Sequence, residues 1–183
     1  MGKKIIVLVA EGTEEIEALT VVDLARRAGI EVEVVSIYDE PVVKGSHNIA
    51  LVADKVISEA DWDNAKMIVI PGGMPGTLNI KACDTAMKQI NHFNEQGKML
   101  AAICAAPSIL GEAGLLNGKK AVCYPGFEDK LMGAEVVYET VVADGNIITS
   151  RGLGTAIDFA AMIINRILGD NIAKDVLKQI IYQ

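Results

Sequence analysis

The sequence predicts an α/β fold whose central sheet is mostly parallel and covered by helices on both faces. Short apolar runs rich in valine and isoleucine alternate with longer segments of helical periodicity, and this strand–helix alternation is typical of a parallel sheet. The strand runs are apolar without interruption, as at residues 5–10, which indicates burial on both faces. A length of 183 residues suits one core, so we expect a single domain over residues 1–183.

Strands are predicted from short apolar runs that end at turn-forming residues. They are residues 4–10, 31–38, one or two short strands within 41–56, then 67–70, 99–103, 121–123 and 147–150. Gly45 marks a turn within the third segment, and Pro71-Gly72-Gly73 ends the fourth. Asp144-Gly145, between Val141 and Asn146, is typical of a hairpin turn.

Helices are predicted from longer segments with apolar residues at helical spacing. They are residues 14–28, 84–96, 105–113, 155–168 and 172–181. Gly29 and Gly97 follow the first two helices, where glycine commonly ends a helix. Pro107 suits the first turn of the third helix, because its missing N–H costs nothing there. Asp170 suits the N-cap of the last helix.

Composition argues against several classes of partner. The net charge is −7, no basic stripe occurs, and aromatic residues make up only 4%, which disfavours nucleic acid and anionic lipid. No apolar stretch approaches the ~20 residues of a membrane-spanning helix. The N-terminal apolar run ends at Glu11, so no secretory signal is expected. The three cysteines match no zinc pattern, so we expect no metal, free thiols and a cytoplasmic location.

One thiol is predicted to lie at the carboxyl end of a strand. Ligands of open α/β sheets bind beyond such ends, where Cys104 follows strand 99–103 and precedes a helix. Small neighbours such as Ala105 suit the tight turn of a nucleophile elbow, and a helix N-terminus lowers the pKa of a thiol beside it. The alternative is that Cys104 is a small buried hydrophobic residue. Cys83 and Cys123 fit such packing or surface roles better.

One glutamate is predicted on the core-facing side of the first helix. Glu17, Val21, Leu24 and Ala28 share one helical face, so Glu17 heads an otherwise apolar stripe. A carboxyl there loses contact with water, its pKa rises, and it becomes a proton donor. The alternative is that the Glu17 carboxyl reaches water at the flank of the helix.

Other residues beyond the strand ends are weaker candidates. The backbone amides of Gly72 and Gly73, with those near Cys104, are placed to receive an oxyanion. Tyr124, followed by Pro125, stands where a base would be useful, although a phenol is a poor base near neutral pH.

Three further features are assigned structural roles. Residues 151–155 resemble an anion cradle at a helix start but lack the spacing of a dinucleotide fingerprint or P-loop, so no cofactor is expected. Glu14 and Glu15 are predicted as surface residues in the first turn of a helix. His92 is predicted on the solvent face of a helix and His47 in a turn, so no cysteine–histidine pair is expected.

Five short motifs occur in order along the chain. They are AEGTEEIE at 10–17, RRAG at 26–29, PGG at 71–73, AAICAAP at 101–107 and TSRGLGT at 149–155. Together they resemble the DJ-1/ThiJ/PfpI superfamily and are closest to its DJ-1 and YajL branch. The resemblance runs over nearly the whole chain, and it implies a flavodoxin-like three-layer sandwich and a homodimer.

The resemblance also implies the chemistry of the site. It implies that Cys104 is the reactive, oxidation-prone nucleophile and that Glu17 is its protonated partner. Gly73 and Ala105 are implied as the main oxyanion donors. Members of the family are reported as glutathione-independent glyoxalases, as deglycases, and as oxidative-stress sensors or chaperones.

Two functions are therefore expected. In the first, Cys104 and Glu17 act on α-oxoaldehydes such as methylglyoxal or on their protein adducts. In the alternative, peroxide oxidises Cys104 to a sulfinate, and the protein is a redox sensor or chaperone with little turnover.

Three departures from the family pattern refine these expectations. Tyr124 replaces a histidine of the human-type members, so we expect slow glyoxalase turnover. Ala105 replaces the histidine of the protease-like branch, which argues against peptidase activity. His47 stands where close relatives tend to have arginine.

Overall fold

The computed structural model describes residues 3–182 and shows a layered α/β protein. In chain order, its strands are β1 (Lys4–Val9), β2 (Glu31–Ser36), β3 (Val42–Lys44), β4 (Ala50–Val52), β5 (Lys55–Val56), β6 (Ala65–Ile70), β7 (Met99–Ile103), β8 (Lys120–Ala121), β9 (Glu135–Val136), β10 (Val141–Asp144) and β11 (Ile147–Ser150). Seven of them form the central sheet in the order β10-β11-β7-β6-β1-β2-β5. All neighbours in this sheet are parallel except β10 and β11, so the predicted mostly parallel sheet is confirmed.

Helices cover both faces of the sheet. They are α1 (Glu15–Arg27), α2 (Gly76–Ala82), α3 (Asp84–Glu95), α4 (Pro107–Glu112), α5 (Ala156–Leu168) and α6 (Asp170–Gln179). Along β1, Ile5 and Val7 join the core shared with α1, α5 and α6, while Ile6 and Leu8 join the core shared with α2, α3 and α4. Since alternate strand residues point to opposite faces, this division accounts for the uninterrupted apolar runs in the sequence.

Several predicted boundaries are corrected by the structure. The strand predicted at 121–123 is β8 (Lys120–Ala121), so Cys123 lies just beyond it. The helix predicted at 105–113 is the shorter α4. Asp170 is the first residue of α6 rather than its N-cap, which is Gly169, and the Asp170 carboxylate pairs with Lys174 instead.

Several short elements were not predicted, among them α2, an additional strand within 41–56 and β9. Helix α2 follows directly on Pro75, and the neighbouring proline and glycines suggest only a turn. The segment predicted to hold one or two strands within 41–56 contains three, of which β3 and β4 form an antiparallel hairpin across the predicted turn at Gly45. The turn predicted at Asp144-Gly145 does join the antiparallel pair β10 and β11. Within residues 3–182, the helices are too short or too polar to cross a bilayer.

Candidate active site

Cys104 occupies a strained turn between β7 and α4. Its φ is +65°, in the left-handed region that residues with a side chain seldom adopt. Two backbone hydrogen bonds hold the turn, because the Cys104 N–H donates to the Ser150 carbonyl at 3.0 Å and the Tyr124 N–H donates to the Cys104 carbonyl at 2.8 Å. Such an outlier, fixed on both sides, is typical of an elbow that presents a nucleophile.

Glu17 lies in the first turn of α1 and is only 1% exposed. Its Oε2 accepts a 2.8 Å hydrogen bond from the backbone N–H of Gly72. Val21 and Leu24, the next residues of the predicted stripe, are also buried. The carboxyl therefore faces the interior rather than the flank of the helix.

Gly72 allows the carboxyl and the thiol to meet. A Cβ on Gly72 would lie 2.6 Å from the Cβ of Cys104 and 2.7 Å from Oε2 of Glu17. These separations are far shorter than van der Waals contact, so only glycine fits between the two side chains. The loop after β6 thus brings together two residues that are 87 positions apart in the chain.

Burial raises the pKa of the Glu17 carboxyl to about 7, against hydrogen bonds from Gly72 and Cys104 that lower it. Burial also raises the pKa of the Cys104 thiol to about 12, and the charge and hydrogen bond of Glu17 act in the same direction. The sequence predicted a lowered thiol pKa. The amides of Ala105 and Gly73 do lower it, but burial and the neighbouring carboxyl outweigh them.

The two groups titrate as a pair, because the thiol of Cys104 donates to the ionised Glu17 carboxylate and that carboxylate opposes ionisation of the thiol. One proton leaves the pair close to neutral pH, and the second is held to strongly alkaline pH. The pair thus carries one proton and one negative charge under ordinary conditions. The two pKa shifts favour the carboxylate beside a neutral thiol, and a thiolate beside a neutral carboxyl is the other arrangement of the same proton.

The predicted oxyanion donors separate into two groups. The Gly72 amide is already donated to Glu17, so the prediction that it receives an oxyanion is corrected. The amides of Gly73 and Ala105 act on the Cys104 sulfur instead. Gly73 has a φ of +91°, and a Cβ there would lie 2.3 Å from the backbone nitrogen of Glu14, so the amide position depends on glycine.

Tyr124 and Pro125 line a cavity of about 260 Å³ beside the thiol. Gly152, which also lines this cavity, lies next to the thiol: a Cβ there would lie 3.3 Å from Cδ2 of Tyr124 and 3.9 Å from Sγ of Cys104. The Tyr124 side chain is half exposed. The predicted lining residues Tyr124 and Pro125 therefore lie near the sulfur, together with Gly152 from the segment 151–155, to which the sequence analysis assigned only a structural role.

Glu15 departs most from its predicted role. The sequence placed it on the surface, but it is 2% exposed. Burial opposes its ionisation, but hydrogen bonds from its own N–H and those of His47 and Ile49 outweigh burial and hold its pKa at about 2. Glu15 thus ties the β3–β4 hairpin to the start of α1.

His47 lies beside this carboxylate, with Nδ1 at 3.3 Å from Glu15 Oε2 and 3.4 Å from Glu14 Oε2. Ligand atoms of the three side chains lie within 4.8 Å of one another, a spacing that a cation could bridge. Hydrogen bonds to Ser46 and to the hairpin backbone already account for the arrangement. Among residues 3–182, neither His47 nor the exposed His92 hydrogen-bonds with Cys104.

Comparison with known proteins gives a consistent result. The DJ-1/PfpI family profile matches residues 3–166. The chain is 39% identical over 176 residues to protein DJ-1 homolog B of Arabidopsis thaliana, covering 95% of this chain but 40% of that protein. It therefore spans less than half the length of that plant relative. With protein dj-1beta of Drosophila melanogaster it is 34% identical over 180 residues, covering 97% of this chain and 96% of that protein.

Two further comparisons bear on activity and fold. A protein of Pyrococcus abyssi named as a deglycase is 33% identical over 153 residues, covering 81% of this chain and 89% of that protein. The structure described as oxidized DJ-1 of Toxoplasma gondii superimposes with a TM-score of 0.95 at 38% identity and covers 99% of both chains. The flavodoxin-like three-layer architecture expected from the resemblance is confirmed.

Proposed function

This chain belongs to the DJ-1/PfpI family, and from that premise we propose that it acts on α-oxoaldehydes such as methylglyoxal, or on their adducts with proteins. The observation that carries the proposal is the buried contact between Glu17 and Cys104 at a strained turn. Nucleophilic catalysis by a thiol needs a neighbouring group that exchanges protons with it, and this pair supplies both functions.

Two arrangements are open to the pair once it has lost one proton. The amides of Gly73 and Ala105 stabilise a thiolate beside a neutral carboxyl, whereas the amide of Gly72 stabilises a carboxylate beside a thiol. Only the thiolate attacks a carbonyl carbon. Reaction with an aldehyde therefore consumes the thiolate form, and transfer of the thiol proton to Glu17 replenishes it.

In the first proposed step, the Cys104 thiolate attacks the aldehyde carbon of methylglyoxal. A C–S bond forms while the π electrons of the C=O bond move to oxygen, and the amides of Gly73 and Ala105 stabilise this oxyanion. The neutral Glu17 carboxyl then gives its proton to the oxyanion. The products are a hemithioacetal and an ionised Glu17.

The ionised Glu17 next removes the hydrogen of the former aldehyde carbon as a proton. The hydroxyl proton passes to the neighbouring oxygen, and Glu17 returns its proton to the adjacent carbon. One carbon is thereby oxidised and the other reduced, so the step needs no external oxidant. Water hydrolyses the resulting lactate thioester to lactate and the Cys104 thiolate. Of the two protons released, one returns to Glu17 and the other passes to solvent, which restores the starting state.

The adduct form of the proposal is supported by the Pyrococcus abyssi relative that is named as a deglycase. An adduct between an α-oxoaldehyde and a protein amine retains the aldehyde-derived carbon that a thiolate attacks. The same thiol and carboxyl are therefore expected to serve both substrates.

Lactate release from methylglyoxal tests the proposal. We expect activity in the wild type, loss of about 10³-fold or more in Cys104→Ala, because the nucleophile is removed, and full activity in Cys83→Ala. Cys83 is a matched control because it is also a partly exposed free cysteine. Equal rates in the wild type and Cys104→Ala would reject the proposed role of Cys104.

A second candidate function is redox sensing, for which a structural neighbour described as oxidized gives support. The Cys104 thiolate would take one oxygen from peroxide to give a sulfenate and water, and a second equivalent would give a sulfinate held by neutral Glu17. Mass spectrometry after mild peroxide treatment should locate two added oxygen atoms on Cys104. Oxygen added only to Cys83 or Cys123 contradicts this function.

The homodimer and the cytoplasmic location also belong to the proposal. Exposed apolar side chains lie on α1 and on the hairpin tied to it: Ile16, Leu19, Val42, Ile49 and Val52. A surface of this kind favours association with a second copy. The three cysteines are free, which suits a reducing compartment. Light scattering that gives the mass of one chain at micromolar concentration contradicts the homodimer.

A further inference from the structure

The cavity beside Cys104 has an apolar wall that the proposed chemistry does not use. Its apolar lining is the Tyr124 ring, Pro125 and Leu153, together with Gly152 and Gly154, and Arg151 and Thr155 complete the lining as its polar residues. Leu153 and Tyr124 are each about half exposed, at 49% and 50%. Large apolar side chains left uncovered at the edge of a reactive group are typical of a surface that a ligand covers.

Gly152 lines this cavity and also lies next to the sulfur of Cys104. A Cβ at Gly152 would contact Cδ2 of Tyr124 at 3.3 Å and Sγ of Cys104 at 3.9 Å, so the absent side chain leaves room between them. A group bonded to the carbon that Cys104 attacks can therefore extend over Gly152 toward Leu153. The cavity volume is about 260 Å³, and an apolar cavity of about 150 Å³ is enough to hold benzene.

We propose that this cavity, which we call the side-group pocket (Tyr124, Pro125, Gly152, Leu153), selects α-oxoaldehydes whose side group is apolar and as large as an aromatic ring. This inference rests on the proposed function, since it assigns the substrate class of the same site. The aldehyde carbon meets Cys104, and the side group beyond the adjacent keto carbon packs on Leu153 and the Tyr124 ring. Methylglyoxal reacts at the same centre but leaves the pocket unfilled.

Two substrates of matched chemistry test the inference by catalysis. Phenylglyoxal and methylglyoxal differ only in the side group, so the ratio of their kcat/KM values reports the pocket. We expect Leu153→Asn to lower that ratio about fivefold, because a half-buried apolar contact is lost. Leu78→Asn is the control, since Leu78 is 47% exposed on α2 and does not line the pocket. An unchanged ratio in Leu153→Asn overturns the inference.

Alkylation tests the pocket without any turnover. Phenacyl bromide and bromoacetone carry the same side groups, and in each the thiolate forms a C–S bond while bromide leaves. We divide the rate constant for phenacyl bromide by that for bromoacetone. At Cys104 we expect this ratio to exceed the same ratio for N-acetylcysteine about fivefold, and we expect Leu153→Asn to remove most of that excess. A ratio equal to that of N-acetylcysteine overturns the inference. A raised ratio without lactate or mandelate formation supports the pocket and refutes the proposed catalysis, so the two failures are distinguishable.

Discussion

The backbone N–H of Gly72 donates a 2.8 Å hydrogen bond to Oε2 of Glu17. That bond fixes a buried carboxyl against the thiol of Cys104, and it uses an amide that sequence reasoning had assigned to a substrate oxyanion. The loop after β6 therefore serves both halves of the site, because Gly72 orients the carboxyl while the Gly73 amide acts on the sulfur.

Replacing Gly72 by alanine should disrupt the site by overpacking. The new Cβ would lie 2.6 Å from Cβ of Cys104 and 3.0 Å from the Ile103 carbonyl oxygen. We expect a loss of ~1–3 kcal/mol in the free energy of unfolding and slower alkylation of Cys104. Urea titration and mass spectrometry measure these two effects. Gly154→Ala serves as the stability control, because nothing lies within 4 Å of its Cβ position.

Replacing Glu17 by glutamine should change how the reactivity of Cys104 depends on pH. In the wild type, the pair loses its first proton with a pKa of about 7, so alkylation should rise through neutral pH. Glutamine does not titrate, so the rise near pH 7 should disappear. Iodoacetamide rates between pH 5 and 10 give the profile. An identical profile in the variant contradicts contact between the two groups.

The same substitution should also stabilise the protein above neutral pH. Burial raises the pKa of Glu17 from 4.5 to about 7, so between these values the folded state holds a proton that the unfolded chain has released. Stability must therefore fall as pH rises through this range. We expect Glu17→Gln to exceed the wild type by roughly 1–3 kcal/mol at pH 8 and to match it near pH 4. Denaturant titrations of the wild type and Glu17→Gln at the two pH values provide the comparison. If the two proteins differ in their free energy of unfolding by the same amount at both pH values, the raised pKa of Glu17 is contradicted.

Sequence reasoning placed Cys104 after a strand and Glu17 toward the core because local patterns carried that information. The uninterrupted apolar run before Cys104 predicts β7, and the stripe shared with Val21 predicts that Glu17 faces the core. Both signals depend only on residues within a few turns of the chain. The family motifs then added the link between Cys104 and Glu17, which neither local pattern contains.

The missed features depend on contacts between distant segments. Glu15 is buried because its carboxylate accepts hydrogen bonds from the hairpin at His47 and Ile49, which no first-turn pattern reveals. Helix α2 forms although Pro75 and Gly76 suggest a turn, because Ile80 packs in the core beneath it. The thiol pKa was misjudged for a similar reason, since the burial of Cys104 arises from tertiary packing.

A buried cation at the amino end of β1, an interior strand of the sheet, should matter for stability alone. Lys4 is 8% exposed and contacts Glu31 at 3.0 Å, Glu33 at 3.5 Å and Asp61 at 2.6 Å. Lys4→Met leaves the buried Glu33 carboxylate without its cation, so we expect a loss of ~3 kcal/mol.

The control for this prediction is Arg27→Met, which breaks a pair with Asp23 whose two side chains are about half exposed. Exposed pairs contribute little, so we expect a loss much smaller than that of Lys4→Met. Urea titration of both variants decides the matter. Equal losses of unfolding free energy in the two variants contradict the larger contribution assigned to Lys4 and its three carboxylate partners.

Introducing histidine at Tyr124 should accelerate the proposed glyoxalase reaction. The Tyr124 ring lies across Gly152 from the Cys104 sulfur, where a base can reach the substrate oxygens or the hydrolytic water. Phenols are poor bases near neutral pH, whereas imidazole titrates there. General base catalysis contributes about 10²–10⁴-fold in favourable geometry, so a rise in kcat of at least about tenfold is expected of Tyr124→His.

Tyr138→His is the matched control, because Tyr138 is 75% exposed and does not line the cavity beside Cys104. A catalytic imidazole should also add an inflection near pH 6.5 to the profile of kcat, which a purely structural change at Tyr124 would not produce. If Tyr124→His gains neither rate nor inflection, the tyrosine is not what limits turnover. The slow step then lies with the Cys104–Glu17 pair, whose single shared proton must serve attack, transfer and thioester release in turn.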